Sequence, residues 1–359
     1  MSRFGGSQSE GMEAGPRPAR RWLLATGGVC VALLAAACGG NATSSSPSSS
    51  SGSSSAASSS PTAQANKTNY TVAFVAGVAH NNFYQVMQQP AEQEAAKLGM
   101  KLIWQPPASF SASAEVPILQ TLLAEHPSAL IVTPDDPVAL KAPIESFIQA
   151  GIPVITVDTE LADSSIVTSQ ITSDGYQGGT LAADATAKSC GDKGTVFVME
   201  ADTTTTTLVL RGNGFLTEMK KYPGITVLPV QYDHHSIPTA SSIASALLTS
   251  HPDICGIFAT NNTAAEGISS ALLEAGLSGK VFLVGFDAGP TEVSLLKGGT
   301  ISELIIQQPA LEATTAVQYA YDYLTGQKSK IQHTVELKNV VATHADANSP
   351  SIEKYYYTG

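Results

Sequence analysis

The stretch YTVAFVAGVAHNNFYQVMQQPAEQEAAKL, residues 70–98, decides the fold. It opens with a short run rich in Val, Phe and Ala and breaks between Gly77 and Asn82. It then resumes with apolar residues at Phe83, Val86, Met87, Ala91, Ala95 and Leu98. A short apolar run bounded by a break reads as a buried strand, and the three-and-four spacing that follows reads as a helix with one apolar face. Between them lie His80, Asn81, Asn82, Phe83 and Tyr84, a polar and aromatic cluster at the carboxyl end of the strand. Ligands of open α/β sheets bind at that end. Pro90 interrupts the helical pattern, where it is expected to kink the helix or cost it a hydrogen bond.

Outward from this unit the same alternation repeats. Strands are expected at 101–105, 129–133 and 153–158, with helices at 118–123 and 138–150 between them, and residues 164–173 read as extended. A second series places helices at 176–188, 211–221, 239–249 and 263–275 and strands at 195–200, 225–230, 254–260 and 281–287. A strand at 301–307, a helix at 311–324 and a last strand at 335–341 follow. Strands and helices alternating at these lengths imply parallel sheets with right-handed crossovers. The fold class is therefore α/β with two doubly wound halves, although no residue-level repeat relates them.

The start of the chain has another character. Arg17, Arg20 and Arg21 precede a small apolar run at 22–37, and Cys38 follows. A basic start, a short apolar core and small residues before a cut describe an export signal over 1–37, too short for a comfortable membrane span. The run Ala35-Ala36-Ala37-Cys38 resembles a bacterial lipobox and implies lipidation of Cys38, with an ordinary signal peptide as the alternative; Arg20-Arg21 also allows twin-arginine export. Residues 38–69 are dominated by Ser and cannot bury enough apolar surface to offset ordering, so they read as a flexible tether. From Tyr70 onward the chain is long enough for two domains. A net charge of −11, with no Lys/Arg run beyond the leader, argues against nucleic acid. Of four cysteines, Cys30 leaves with the signal and Cys38 would carry lipid; Cys190 and Cys255 remain as a disulfide candidate, with two buried free thiols as the alternative.

Further phrases make the body recognisable: AFVAGVAHNNFY (73–84), EQEAAKLG (92–99), ALIVTPDD (129–136), AGIPVITVD (150–158), ITSDGYQGG (171–179), RGNGF (211–215), HPDICGIFATNN (251–262), LVGFDAGP (283–290) and ELIIQQP (303–309). In this order and spacing they resemble the type I periplasmic sugar-binding proteins, above all those of the ribose-binding kind, which deliver ligands to ABC transporters. The resemblance implies two doubly wound domains joined by three crossings, near Ser173, Gln308 and Gln327, and closing on a ligand between them. The N-terminal lobe would be 70–173 plus 309–328 and the C-terminal lobe 174–308 plus 329–359. It also places Cys190 and Cys255 before neighbouring strands of the second lobe, at the edge far from ligand. The implied partners are a small sugar or polyol, a permease with a separate ATPase, and the membrane through the lipid anchor, with the receptor itself a monomer.

A polyol offers hydroxyls that both donate and accept, and nearly apolar C–H faces. A site for it needs carboxylates, amides and aromatic walls. Asp158 and Asp287 close two expected strands, and in the resemblance they match ligand-binding aspartates. Asn81 and Asn261 match amides on the two lobes, Gln307 a hinge-side glutamine, and Phe83, Tyr84 and Phe286 the aromatic walls. Thr133 stands at an Asn position. Simpler readings exist: either aspartate could merely end a strand, Asn261 could be a helix cap, Phe83 and Tyr84 could be core, and Asp135 and Asp136 read as caps. Thr159 and Val209 stand where the ribose-type pattern has arginines, which makes ribose itself doubtful because neither side chain imitates a guanidinium fork. His235 replaces a ring-stacking Phe and could donate to ligand; beside His234 on an extended strand it would not form a metal pair. The threonines at 203–207 replace a cleft loop and could offer hydroxyls. No cofactor or metal is implied. The chain contains no G-x-S-x-G elbow, H-E-x-x-H or phosphate-cradling loop, which argues against an enzyme or a built-in ATPase. The competing readings are a chemosensory or regulatory sugar sensor and the same receptor holding an autoinducer or purine-like ligand.

Overall fold

The computed structural model describes residues 69–358. The export segment, Cys38 and the Ser-rich tether lie outside the described residues. Strand β1 (Thr71–Val75) passes through the Gly-to-Asn break into α1 (Asn82–Lys97). Then come β2 (Lys101–Trp104), α2 (Ala112–Glu125), β3 (Ala129–Val132), α3 (Lys141–Gln149), β4 (Val154–Val157) and β5 (Ser169–Ser173). The second series is α4 (Gly175–Cys190), β6 (Gly194–Glu200), α5 (Thr206–Met219), β7 (Ile225–Val227), β8 (Gln231–Tyr232), α6 (Ile237–Ser250), β9 (Ile254–Ala259), α7 (Asn262–Glu274), β10 (Phe282–Phe286), α8 (Pro290–Lys297) and β11 (Glu303–Ile306). After these follow α9 (Pro309–Leu324), β12 (Thr334–Leu337), β13 (Val340–Thr343) and α10 (Pro350–Glu353). Helix α1 runs on through Pro90, which leaves the carbonyl one turn earlier without its usual donor.

Two sheets result, and each anchors an α/β domain. The first has six strands in the order β12-β5-β4-β3-β1-β2, all parallel. The second runs β13-β11-β10-β9-β6-β7, with β8 also beside β6, and only β13 is antiparallel. Both cores share one order, β2-β1-β3-β4-β5 in the first and β7-β6-β9-β10-β11 in the second. Each therefore reverses direction at a switch point, β1/β3 or β6/β9, where loops part and leave a crevice. Helices cover both faces, which is why ALIV in β3 and VITV in β4 are buried at every position rather than alternating. In the second domain α4 and α5 approach backbone to backbone: a Cβ on Gly179 would collide with the carbonyl oxygen of Arg211, and one on Gly214 with that of Tyr176.

The chain passes between the sheets after β5, after β11 and between β12 and β13. The third passage is at Lys338 and Asn339, not near Gln327 as expected. Residues 334–337 pair in parallel with β5 and so belong to the first sheet, while 340–343 pair with β11. The anticipated single strand at 335–341 is thus two strands in two sheets. The side chains at the passage hold it beside the other two: Asn339 Nδ2 donates to Asp174 O at 2.7 Å, Lys338 Nζ reaches Asp174 Oδ2 at 2.6 Å, and Gln308 Nε2 donates to Lys338 O at 2.8 Å. Cys190, ending α4, is disulfide-bonded to Cys255 at the start of β9. That edge of the sheet is the amino end, opposite the crevice.

Candidate functional site

The site begins with a backbone feature that occurs twice. Immediately after β4, Asp158 takes φ 62°, and immediately after β10, Asp287 takes φ 80°. Left-handed backbone costs an ordinary L-residue roughly 1–2 kcal/mol, and Asp is among the few that tolerate it. Each amide still bonds to the neighbouring strand, Asp158 N to Ile171 O and Asp287 N to Ile305 O, both at 2.9 Å. The turn thus lifts each carboxyl out of its sheet at the carboxyl edge. Asp158 Oδ2 accepts from Tyr84 OH at 2.7 Å; Asp287 Oδ1 accepts from Gln307 Nε2 at 2.7 Å and from Tyr357 OH at 3.3 Å.

Both carboxyls line one cavity of about 410 Å³ between the domains. Ligand pockets for small molecules run from roughly 300 to 1,000 Å³. From the first domain come Asn81, Phe83, Tyr84, Phe110, Asp158 and Thr159; from the second, Thr205, Thr207, Arg211, His235, Asn261, Glu266, Asp287 and Gln307. Asn81 caps α1, its Oδ1 accepting from Phe83 N at 2.9 Å, and Asn261 caps α7, its Oδ1 accepting from Ala264 N at 2.8 Å. Capping consumes the oxygen and leaves each amide nitrogen as a donor. The cap and the ligand contact are therefore compatible roles for one side chain.

Aromatic rings form the first-domain wall. Phe83 meets Tyr84 edge-on at 5.1 Å, Tyr84 lies parallel to Phe110 at 6.5 Å, and Phe110 reaches across to His235 of the second domain at 5.7 Å. Gly77 makes room for this wall, since a Cβ there would lie 2.6 Å from the Tyr84 ring. His234 and His235 are not on an extended strand as expected: both adopt left-handed φ, 54° and 57°, in the turn before α6. Only His235 lines the cavity, its Nε2 3.0 Å from Asp202 Oδ2. Asp202 also accepts from the Thr204 and Thr205 amides, which shapes the threonine run into the start of α5. Although burial works to raise it, these bonds hold the Asp202 carboxyl below its ordinary range.

Two expected site residues lie elsewhere. Phe286 is fully buried and does not line the cavity; its ring supports the Arg211 guanidinium, whose carbon sits 3.8 Å from the ring centroid. Successive strand residues face opposite sides, so Phe286 goes under the sheet while Asp287 leaves it. Thr133 is fully buried at the end of β3, and Thr159 takes the lining position beside it, donating to Pro134 O at 2.7 Å. Among residues not singled out for the site, Arg211 stands at the cavity with Nη1 donating to Thr260 O at 2.8 Å, and Phe110 and Glu266 join the lining. Arg211 had a visible signal in the RGNGF phrase. Glu266 lies one helical turn beyond the cap at Asn261 and its neighbour Asn262, a spacing that could have found it.

Electrostatics favour a site waiting for donors. Burial raises the Asp158 carboxyl to about 6 against the pull of Arg211 and the Tyr84 hydroxyl. Burial likewise raises Asp287, opposed by Arg211 and Gln307. Behind them Glu312 accepts from Ser173 Oγ at 2.6 Å, and burial together with nearby Asp158 raises it to about 8. Among the described residues no group of three His, Cys, Asp or Glu side chains could hold a metal ion, and no helix is long and apolar enough to cross a membrane.

A family profile described as periplasmic binding protein domain matches residues 72–328. The chain belongs to that family. This binding protein is 31% identical over 285 residues to the ribose import binding protein of Escherichia coli, covering 79% of this chain and 94% of that one. Among solved structures it is similar to an ABC transporter solute binding protein from Agrobacterium vitis bound with alpha-D-tagatopyranose, at 33% identity and a TM-score of 0.78, covering 81% of this chain and 100% of that one. It is also similar to an ABC transporter periplasmic solute binding protein from Actinobacillus succinogenes with bound D-allose, at 27% identity and a TM-score of 0.73, covering 78% and 99%.

Proposed function

We propose that this periplasmic binding protein is the extracytoplasmic receptor of an ABC importer and captures one sugar or sugar-like polyol in the cavity between its domains. The observation that carries the reading is the pair Asp158 and Asp287, offered to one cavity from opposite domains by the same left-handed turn. Sugar hydroxyls donate to these carboxyls and accept from the Asn81 and Asn261 amides, while C–H faces rest on Phe83, Tyr84 and Phe110. Hydrogen bonds to charged groups contribute roughly 1.5–3 kcal/mol each. A ligand gripped from both sides stabilises the closed arrangement over the open one, and the three adjacent passages act as the hinge. A permease with a separate ATPase receives the closed form. A relative named for ribose import, and two other similar proteins solved with tagatose and with allose, support a monosaccharide-sized ligand. We assign the chain no catalytic step.

The same reading has the receptor work as a monomer held at the outer face of the cytoplasmic membrane by lipid on Cys38. Intact mass of the membrane-extracted protein should begin at an acylated Cys38; a soluble product cut elsewhere opposes the anchor. Ligand capture is tested by thermal denaturation against a panel of pentoses, hexoses and sugar alcohols. A true ligand at a hundredfold excess over its Kd stabilises by about 2.7 kcal/mol. A panel without any shift sinks the receptor reading.

A further inference from the structure

We propose that Asp202, which does not itself line the cavity, is a positioning residue that builds the second-domain rim into a latch, and that this latch sets how slowly the ligand leaves. The inference rests on the sugar-receptor reading and adds to it what governs release. One carboxylate gathers two segments that are distant in the chain. Its Oδ1 accepts from the Thr204 amide at 2.7 Å, the Thr204 hydroxyl at 2.9 Å and the Thr205 amide at 2.7 Å, and its Oδ2 accepts from the Thr205 hydroxyl at 2.7 Å. His235, 33 residues further on, brings Nε2 to 3.0 Å from the same Oδ2. A carboxylate only accepts, so His235 must carry a proton on Nε2. The backbone secures the second segment as well: His234 N donates to Ala201 O at 3.0 Å and His235 N to Asp233 Oδ1 at 2.8 Å. Both histidines have left-handed φ, a conformation that needs such holding.

What this rim meets is the other domain. The His235 ring faces that of Phe110, with centroids 5.7 Å apart and planes 41° apart. Thr206, the first residue of α5, accepts from the Glu160 amide on Oγ1 at 3.1 Å. Phe110 lies just before α2 and Glu160 just after the Asp158 turn, so both belong to the first domain. The two contacts therefore join the domains directly, without passing through a ligand. Asp202 stands behind both, holding His235 by its ring and Thr206 through the turn that starts α5. Opening the cleft must break both contacts, whereas the first encounter with a sugar does not require them. Contacts of that kind act on dissociation more than on association. Recognition stays with the carboxyls and amides deeper in the cavity.

The test is stopped-flow binding and displacement kinetics of the mature chain with the pentoses, hexoses and sugar alcohols of the panel, for the parent, D202A, T206A and D202A in an F110A background. D202A should raise the dissociation rate about tenfold and change association by less than about threefold. T206A, which removes one hydrogen bond, should raise dissociation about threefold. The order of affinities across the panel should stay the same in both. In the F110A background the D202A effect should shrink to less than about threefold, because His235 then has no ring to meet. A residue that merely caps α5 would act equally in both backgrounds. Dissociation unchanged in D202A, or raised equally with and without Phe110, would overturn the latch and leave the receptor reading standing. A reordered panel would overturn it too, since Asp202 would then be acting on the ligand. If D202A does not fold, T206A decides, and an unchanged dissociation rate there overturns the latch. Failure of every compound to bind the parent would overturn both.

Discussion

Asp158 and Asp287 reach the cavity through the same turn, yet the two domains support that turn by different means. In the first, Tyr84 bonds the carboxyl, and behind the wall lies a carboxyl pair: Asp135 N donates to Glu115 Oε2 at 3.0 Å and Ser111 N to Asp135 Oδ2 at 2.9 Å. No covalent link is seen among the described residues of that domain. In the second, Gln307 and Tyr357 hold the carboxyl, Arg211 lies close by, and the sheet's far edge is stapled by Cys190 and Cys255. The lesson is that the strand-end turn sets where each carboxyl points, while the groups that hold it there differ between the domains. Equivalently turned carboxyls thus stand on different supports, a buried acid pair in one domain and a disulfide in the other.

The sharpest way to break this comparison is to remove each carboxyl. Asp287→Ala and Asp158→Ala should each weaken ligand binding by a hundredfold or more, since about two charge-assisted hydrogen bonds at roughly 1.5–3 kcal/mol each are lost. Both variants should stay folded, and calorimetry showing one of them near the parent affinity would end the equivalence of the two turns. Next in size is the staple. Cys190→Ser with Cys255→Ser opens a loop of 65 residues and should lower stability by about 2–4 kcal/mol. Hydrogen exchange should quicken in α4, β6 and β9 and leave β1 to β4 unchanged; a uniform change would mean that the domains do not differ in this way.

The smallest effect concerns acidity. Burial raises Glu115 to about 8, and burial with repulsion from Glu115 raises Asp135 to about 9. A carboxyl raised in the folded state binds its proton more tightly there than in the unfolded chain. Its contribution is full below the ordinary carboxylate range, near 4, and is lost as pH climbs toward 8 or 9. Tm should therefore fall between about pH 5 and pH 8, with Glu292 and Glu312, both raised by burial to about 8, adding the same sign. Glu115→Gln should flatten part of that slope, and a Tm profile identical to the parent's would show that the pair titrates as in water.

The alternation of strands and helices was legible because most elements are separated by Gly, Pro or Asn and carry clear periodicity. Where it blurred, the chain was doing two jobs in one phrase. VELKNVV alternates like a single strand, and nothing in seven residues says that its halves join different sheets. Helix α2 starts at Ala112, earlier than expected, because SASAE offers small residues without an apolar stripe, and α5 starts at Thr206 inside a β-branched run that hides it. Asp158 and Asp287 were readable as acids closing apolar strands. Phe286 was placed at an aromatic wall by the resemblance alone, whereas here it is fully buried and its ring lies against the Arg211 guanidinium. Phe110, Glu266 and Arg211 join the site through tertiary approach, and for Arg211 the glycines that let α4 touch α5 supply it.

The return of β12 to the edge of β5 means that neither half can be excised with a single cut. A fragment ending at Ser173 would keep five strands but forfeit both its flanking strand and the α9 cover, leaving bare amides along β5 ready to pair with another chain. Grafting a different cleft onto this protein therefore requires three splice points, and a transplant made with fewer should precipitate instead of folding.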